Sequence, residues 1–307
     1  MPILDAHDLW KTFRSRRRTV DAVRGVSLRL EAGEVLGFLG PNGAGKTTTI
    51  KMLAGLVRPD RGWVRIMARD PHRDPGTLYQ VGAVLEGNRN VYWRLTPHEN
   101  LVYFGVLRGL SAREAQRRGD ELLERFNLAD KRRETVQQLS RGMQQKLAIA
   151  VAFIHQPKLL LLDEPTLGLD VEAAEAVKTL IREIAAAGHA ILLTTHQLGV
   201  AEELSDRVAI IRQGEIITEE PTQELIRRYS GQAFTIEVQG TPSPAQTAAL
   251  IALGAEVHFE RICYLGASEN LYRVFDILRP LPLVKVEKDQ ADLTEVFLKL
   301  MREGADA

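Results

Sequence analysis

The spacing of apolar residues changes several times along the chain, and each change predicts an element. Val23, Val26, Leu28 and Leu30 stand among polar residues, which is typical of a half-buried strand. Residues 3–39 as a whole have this character. The first part of the chain is therefore expected to form strands.

Two largely apolar stretches predict strands that are buried on both faces, as in a parallel sheet. They are residues 159–162, which are all leucine, and residues 190–195. A helical pattern at about 171–187 lies between them and ends at Gly188. Strands that alternate with helices in this way predict a doubly wound α/β sheet.

A mostly helical insertion interrupts this pattern at residues 96–135. The sequence TPHE at 96–99 is a capping box with proline at the first helical position, and SARE at 111–114 is a second box. An apolar helix from Lys146 to His155 follows. We assign residues 96–157, approximately, to a helical subdomain.

The pattern changes again beyond Tyr229. Strands are expected near 234–238, 255–259, 262–266 and 283–287, and helices near 244–252, 270–278 and 293–302. Without the last helix the order is β-α-β-β-α-β, the split-βαβ arrangement. The sequence thus predicts two domains, residues 1–230 and an α+β accessory domain at residues 231–307.

Composition narrows the class of protein. The 307 residues include 40 basic and 40 acidic side chains, so no nucleic-acid partner is expected. No apolar run reaches the roughly 20 residues of a membrane helix, and no signal-peptide pattern is present. The one cysteine, Cys263, fits a reducing compartment. We expect a cytoplasmic protein, which would need a spanning partner to act at a membrane.

One stretch carries the most specific chemical signal. It consists of Gly40, Pro41, Asn42, Gly43, Ala44, Gly45, Lys46, Thr47 and Thr48. It matches G-x-x-x-x-G-K-[ST] between an apolar run and a helical segment. In such a loop the backbone N–H groups cradle phosphate oxygens, Lys46 reaches the β- and γ-phosphates, and Thr47 ligates Mg²⁺. The alternative is a glycine-rich turn that binds nothing.

Polar residues end the two buried strands. Asp163 follows the leucine run, where its carboxylate can hold Mg²⁺ or its waters, and the adjacent Glu164 can polarise the water that attacks the γ-phosphate. Unpaired charge at a strand end is costly, which favours a functional role. His196 ends the second run. It is either structural or exposed, or it hydrogen-bonds a γ-phosphate oxygen or Glu164.

The order of five motifs resembles that of ATP-binding-cassette (ABC) ATPases. The motifs are GPNGAGKTT, LSRGMQQ at 139–145, LLLLDEP at 159–165, GLD at 168–170 and TH at 195–196. The resemblance covers about residues 3–225. It implies the α/β P-loop NTPase fold of that family, a mixed sheet core with a helical subdomain. Segments at 86–96 and 291–298 look closest to the ATPase subunits of ABC-2-type exporters, the drug-resistance and polysaccharide or lipid efflux group.

The resemblance implies roles that spacing alone does not assign. Phe13 would stack on adenine, although taken by itself it reads better as a core aromatic. Glu86 would sense Mg²⁺ and contact a membrane partner. Ser140 and Gly142 would close over the γ-phosphate held by the opposite subunit, and Asp170 would lie at the dimer interface.

These roles imply two kinds of partner. Two copies of the chain would sandwich two ATP molecules, in a homodimer that ATP closes and hydrolysis releases. A separate integral-membrane permease would carry the cargo and insert a cytoplasmic helix near Tyr92, Trp93, Tyr103 and Phe104, although ordinary packing also explains these aromatics. The chain would then act with ATP and Mg²⁺, peripherally, at the inner face of the cell membrane.

Two features depart from the family pattern. Glu86 stands where most members have glutamine, so a carboxylate replaces an amide there. The signature reads LSRGM rather than LSGGQ, which places Arg141 and Met143 in it. Glu164 is intact, so a hydrolytically competent site is expected.

Other classes of protein fit less well. Non-transport ABC ATPases that act on nucleic acid or ribosomes usually carry two cassettes, long coiled-coil inserts or zinc-binding cysteines, whereas this sequence has one cassette, no heptad run and one cysteine. A P-loop kinase or GTPase would lack the signature and the adjacent carboxylates. The sequence favours an exporter ATPase, with a non-transport ABC ATPase as the alternative.

Overall fold

The computed structural model describes residues 1–14, 19–85, 91–230, 233–265, 270–288 and 291–303. By its internal contacts the chain divides into two compact units, Met1–Thr222 and Gln223–Ala307. Glu86 lies outside the described residues. Among the described helices, none combines the length and the apolar composition that crossing a bilayer requires.

The elements are as follows. The strands of the first unit are β1 (Leu4–Arg14), β2 (Thr19–Leu30), β3 (Val35–Leu39), β4 (Arg61–Ile66), β5 (Val81–Val84), β6 (Leu159–Asp163), β7 (Ala190–Thr194), β8 (Arg207–Arg212) and β9 (Glu215–Pro221). Its helices are α1 (Lys46–Leu53), α2 (Pro97–Leu107), α3 (Ala112–Arg125), α4 (Arg141–Phe153), α5 (Val171–Ala186) and α6 (Leu198–Leu204). Short 3₁₀ helices occupy Pro75–Gln80, Ala129–Lys131 and Val136–Gln138. From the unit boundary onward come α7 (Thr222–Tyr229), β10 (Ala233–Val238), α8 (Pro244–Ala252), β11 (Ala255–His258), β12 (Arg261–Leu265), α9 (Leu271–Leu278), β13 (Leu283–Lys288) and α10 (Leu293–Glu303).

A six-stranded sheet forms the centre of the first unit, in the order β5-β6-β7-β3-β8-β9. Neighbouring strands from β5 to β8 are parallel, and β9 joins the edge antiparallel. The predicted doubly wound sheet is confirmed. Because the carboxyl ends of parallel strands share one edge, the segments that follow β3, β6 and β7 start from the same edge.

The leucine run at 159–162 lies between two separate cores. Leu160 and Leu162 pack with residues of α4 and α5, whereas Leu159 and Leu161 pack with residues of α1, β1 and β2. All of them are fully buried. Burying a leucine side chain contributes about 1.5–3 kcal/mol, so this strand is held firmly from both faces, and Asp163 at its end is held with it.

The first strands of the chain divide between two sheets. β1 pairs antiparallel with both β2 and β4 in a three-stranded sheet, while β3 joins the large sheet. The prediction of strands across residues 3–39 is therefore confirmed, and the second sheet covers the α1 side of the large one through a shared core.

Helices α2 and α3 form the predicted helical insertion. The capping box of α2 is present, because Thr96 Oγ1 accepts from Glu99 N at 3.2 Å and Glu99 Oε2 accepts from Thr96 N at 2.8 Å. The second box is formed only in part. Ser111 Oγ accepts from Glu114 N at 3.2 Å, but the Glu114 carboxylate lies 2.7 Å from Arg118 Nη2, and this ion pair takes the place of the reciprocal bond.

His155 follows α4 at the junction between this insertion and the large sheet. Its Nε2 lies 3.2 Å from the carbonyl oxygen of Val81 on β5. Burial, together with the positive charges of Arg108 and Arg118, lowers the pKa of His155 to about 4, although the hydrogen bond to Val81 acts in the opposite direction. His155 is therefore neutral in the folded chain at pH 7.

This buried histidine makes stability depend on pH. Between pH 6.5 and pH 4 the unfolded chain binds a proton here that the folded chain does not, so stability falls as the pH falls. We expect His155 to contribute a loss of about 2 kcal/mol in the free energy of unfolding between pH 7 and pH 5. His155→Gln should remove this contribution.

Urea unfolding at both pH values measures the effect. Tryptophan fluorescence is a suitable signal, since Trp10, Trp63 and Trp93 all belong to the first unit. The exposed His7 provides the matched control His7→Gln. If His155→Gln loses as much stability between the two pH values as the unmodified chain, the assignment is wrong.

The second unit has the predicted β-α-β-β-α-β order. Its sheet runs β11-β12-β10-β13 with antiparallel neighbours. One face packs on α8 and α9 through a core that includes Ile236, Ile262 and Val274. Cys263 is half-buried, and its Sγ lies 3.7 Å from Thr235 Oγ1.

Candidate active site

The phosphate loop at residues 40–48 runs from the end of β3 into the first turn of α1. Two of its glycines are required because other backbone atoms lie close to them. A Cβ atom at Gly40 would lie 2.3 Å from the carbonyl oxygen of Ile211 on β8, and one at Gly45 would lie 2.4 Å from that of Ala22 on β2. Gly45 also has a φ of 111°, a region that residues with a side chain rarely adopt. The loop is thus pressed against two strands, and it opens at the N-terminus of α1, where an anion is favoured.

Lys46 is the first residue of α1, and its side chain is buried within the curl of the loop. Its ammonium donates to the carbonyl oxygens of Gly40 at 2.6 Å and Pro41 at 3.2 Å. The positive charge is therefore held inside the loop, where the sequence pattern predicts phosphate groups.

A cleft of ≈ 570 Å³ opens beside this loop. It is lined by Val20, Ala22, Asn42, Gly43, Gly45, Lys46, Thr47, Thr48, Asp163, Glu164, Leu167 and His196. Residues far apart in sequence meet here because β3, β6 and β7 are parallel, so that the phosphate loop, Glu164 and His196 all follow strand ends at the same sheet edge. The cleft combines a buried cation, hydroxyl groups and two carboxylates, a set suited to a phosphate chain with a divalent cation.

Asp163 and Glu164 are both held by the end of β7. Asp163 is buried and accepts a hydrogen bond from the hydroxyl of Thr194, its cross-strand partner. Glu164 Oε2 accepts from Thr195 Oγ1 at 3.1 Å, and Glu164 Oε1 lies 2.8 Å from His196 Nδ1. The contact that the sequence suggested between His196 and Glu164 is present.

The two threonines are the part of the site that the sequence analysis did not assign. Thr194 and Thr195 orient one carboxylate each. The sequence contains a signal for these roles. Two hydroxyl residues stand directly before His196, at the end of a strand that a doubly wound sheet can place beside β6. What was missing was the pairing of β6 with β7, which fixes Asp163 opposite Thr194.

Helix α6, which follows His196, is tied to α5 by an ionic cluster. The Glu203 carboxylate accepts hydrogen bonds from Lys178 and Arg182. The bond from Lys178, helped by that from Arg182, lowers the pKa of the Glu203 carboxyl, while partial burial opposes the shift. The cluster holds α6 in place, and α6 begins two residues after His196.

Phe13 lies at the end of β1, opposite Val20 on β2. Its side chain is 45% exposed, so the interpretation as a core aromatic is wrong. The Lys11 ammonium lies 5.7 Å from the ring centroid. Since Val20 lines the cleft, an exposed aromatic ring stands beside the cleft entrance, where a nucleobase could stack on it.

The signature segment begins helix α4. Ser140 is the N-cap, and its Oγ accepts from Met143 N at 3.3 Å, which is why the helix starts at Arg141 rather than at the predicted Lys146. Gln144 Nε2 donates to the carbonyl oxygen of Leu139 at 3.0 Å. A Cβ atom at Gly142 would lie 2.5 Å from Ala173 Cβ on α5, so the glycine permits a close approach of the two helix starts.

Asp170 caps the neighbouring helix α5, accepting from Ala173 N at 2.8 Å. Among the described residues that line the cleft, none is Ser140, Gly142 or Asp170. One chain therefore does not bring the signature to its own phosphate loop.

The two residues at which the signature departs from LSGGQ, Arg141 and Met143, both lie close to other parts of the chain. Met143 is partly buried and packs against the core of the helical side. The guanidinium of Arg141 lies beside Gly168, 3.5 Å from where a Cβ atom would stand. Arg141 is thus near the loop that precedes α5.

The fold and the cleft together define a P-loop ATPase. Residues 23–167 match the family model described as ABC transporter. The chain is 40% identical over 239 residues to the daunorubicin/doxorubicin resistance ATP-binding protein DrrA of Streptomyces peucetius. The matched region covers 77% of this chain and 72% of that protein. It is 38% identical to the Nod factor export ATP-binding protein I of Burkholderia lata, with 91% of each chain covered.

Solved structures agree with this assignment. The dimeric post-hydrolysis structure of the ATP-binding cassette MJ0796, bound to ADP and Pi, matches with a TM-score of 0.64 and 26% identity, over 71% of this chain and 98% of that one. The chain belongs to the ABC transporter family, as an ATP-binding subunit that hydrolyses ATP.

Proposed function

We propose that this chain is the ATP-hydrolysing subunit of an ABC-2-type exporter. The observation that carries the proposal is the single cleft that joins the phosphate loop, Asp163, Glu164 and His196. The relatives whose names refer to drug resistance and Nod factor export support the direction of transport. The chain works at the inner face of the cell membrane through a separate membrane subunit.

The charged side chains of the cleft and the nearby Phe13 have separate roles in this function. Lys46 and the backbone N–H groups of its loop hold the phosphates of ATP. Glu164 polarises the attacking water, and His196, 2.8 Å from it, orients the carboxylate and the γ-phosphate. Phe13 stacks on the adenine.

The oxygen groups of the cleft fit a magnesium ion. The Thr47 hydroxyl and the Asp163 carboxylate both line it, and oxygen donors of this kind are the ligands that Mg²⁺ prefers. Thr47 and Asp163 would hold the ion, which would neutralise phosphate charge.

A second copy of the chain completes the site. Ser140 and Gly142 stand at a helix N-terminus that can bind an anion, yet they do not line the cleft of their own chain. In a homodimer the signature of one copy faces the phosphate loop of the other, with Asp170 at the interface. The dimeric cassette among the solved structures supports this arrangement.

The membrane subunit docks on an aromatic patch that we define as Tyr92, Tyr103 and Phe104. The ring centroids lie 5.1–5.6 Å apart, and both tyrosines are about half exposed. Phe104 also lines an adjoining groove of ≈ 410 Å³ together with Tyr79 and Leu107. An exposed apolar groove of this kind fits the apolar face of a partner helix.

Copurification tests the proposed function. An affinity-tagged chain, extracted from its own membranes in mild detergent, should retain a polytopic membrane protein. Leu107→Asp should release that protein, because Leu107 is 60% exposed and lines the groove, and a charge there opposes apolar docking. Ile251→Asp, at a similarly exposed position of α8, is the control. Recovery of ribosomes or DNA without a polytopic membrane protein would show that the exporter proposal is wrong.

A further inference from the structure

The loop of residues 165–170 connects Glu164 to helix α5 and is built on consecutive turns. Leu167 N donates to the carbonyl oxygen of Glu164 at 3.2 Å, and Leu169 N donates to that of Thr166 at 3.3 Å. Leu167 is exposed and lines the cleft. The side chain of Thr166, by contrast, is 1% exposed. Thr166 is therefore a buried anchor of the loop, next to the buried Pro165, whereas Leu167, Gly168 and Asp170 are exposed.

The anchor is a hydrogen bond to the segment that follows His196. Thr166 Oγ1 donates to Gln197 Oε1 at 2.7 Å. Gln197 N in turn donates to Thr195 Oγ1 at 3.0 Å, and Thr195 Oγ1 donates to Glu164 Oε2 at 3.1 Å. Thr166 is two residues from Glu164 in the chain. The three hydrogen bonds and the intervening backbone therefore form a closed ring, which runs from the Glu164 carboxylate through Thr195, Gln197 and Thr166 back to Glu164.

The ring fixes the direction of each hydroxyl group. The Thr195 hydroxyl oxygen accepts from Gln197 N, so its proton is free to point at Glu164. A donor at Thr166 holds the Gln197 side chain, and without it the Gln197 carbonyl oxygen would lose its partner and reorient. Glu164 also has a φ of 53°, a left-handed conformation that persists only where neighbouring contacts enforce it.

We propose that Thr166 and Gln197 are positioning residues for ATP hydrolysis, whose hydrogen bond holds the Thr195 hydroxyl and the His196 segment against Glu164. The same bond ties the carboxylate to the loop that ends at Asp170. The inference rests on the proposed role of Glu164 in activating water.

Removal of the Thr166 hydroxyl is the direct test. Thr166→Val keeps the shape of the side chain and should lower kcat about tenfold, with the KM for ATP unchanged, because misorientation of the carboxylate affects the reaction and not the binding of ATP. Thr166→Ser restores the donor and should recover most of kcat. Thr179→Val is the matched control, since Thr179 donates its hydroxyl to Glu175 O on an exposed face of α5.

A second variant separates positioning from folding. Gln197→Met removes the acceptor from a half-buried position and should lower kcat to the same extent as Thr166→Val. The double variant should be no slower than either single one, because both remove the same bond. An unchanged kcat in Thr166→Val, additive losses in the double variant, or a loss that Thr166→Ser does not recover and that follows the melting temperature would overturn the inference.

Glu164→Gln, measured in the same assay, distinguishes failure of the positioning role of Thr166 from failure of the proposed role of Glu164. If Glu164→Gln abolishes hydrolysis while Thr166→Val has no effect, only the positioning inference fails. If Glu164→Gln hydrolyses ATP at the unmodified rate, the proposed role of Glu164 fails, and the inference fails with it.

Discussion

Replacement of Glu164 by glutamine is expected to lower kcat for ATP hydrolysis by at least about 100-fold, since an amide cannot accept the proton of the attacking water. ATP binding should persist, because the phosphate loop and Lys46 are untouched. The change is nearly isosteric, and the amide oxygen can still accept the hydrogen bond from Thr195, which lies 3.1 Å from Glu164 Oε2.

Two measurements separate hydrolysis from binding. Phosphate release gives kcat, and equilibrium binding of a fluorescent ATP analogue gives the affinity. The variant should also elute as a dimer in the presence of ATP, since closure is no longer reversed by hydrolysis. Glu121→Gln is the control, because Glu121 is exposed on α3. Hydrolysis by Glu164→Gln at the unmodified rate would remove Glu164 from the mechanism.

The second large effect is expected from mixing two inactive variants. Lys46→Ala should lose nucleotide binding, because it removes the cation inside the phosphate loop. Ser140→Asp should lose hydrolysis in trans, because a carboxylate would face the γ-phosphate of the opposite subunit. Aspartate is a good N-cap, so the start of α4, which Ser140 now caps, should be preserved.

A homodimer with shared sites predicts recovery when the two are combined. In a heterodimer one site pairs the intact phosphate loop of the Ser140→Asp chain with the intact signature of the Lys46→Ala chain. A mixture of equal parts should therefore regain up to about a quarter of the unmodified activity if the subunits exchange freely as a two-fold dimer. The absence of any recovery after confirmed subunit exchange would mean that each chain hydrolyses ATP by itself.

Much of this architecture follows from local pattern. The leucine run at 159–162 predicts a strand buried on two faces, and the structure places alternate leucines in two different cores. The position of Asp163 and Glu164 at the cleft follows from that strand, since a strand end in a parallel sheet has a fixed edge. The phosphate loop is also predicted by a local motif, although the carbonyl oxygens that require Gly40 and Gly45 belong to Ile211 and Ala22, which are distant in sequence.

The remaining features depend on neighbours that are distant in sequence. The roles of Thr194, Thr195 and Gln197 depend on the pairing of β6 with β7. No local sequence pattern predicts which strands of a sheet are neighbours. Phe13 is 45% exposed, and its partner across the strand pair is Val20, which lines the cleft. Its chemistry alone pointed to the core.

The start of α4 illustrates a different limit. Its first turn is polar, so apolar spacing placed the beginning at Lys146. The N-cap bond of Ser140 extends the helix back to Arg141. This polarity of the first turn hides its helical character, because apolar periodicity is the signal that predicts an amphipathic helix.

The left-handed backbone of Glu164 has a consequence for how this sequence changes over generations. A φ of 53° costs a residue with a Cβ atom roughly 1–2 kcal/mol, whereas glycine adopts it without strain and asparagine with little. Selection for a stable fold alone would therefore favour glycine or asparagine at this position. Replacement of Glu164 by either residue should therefore relieve backbone strain while it removes the carboxylate, which would give a chain that binds ATP but does not hydrolyse it.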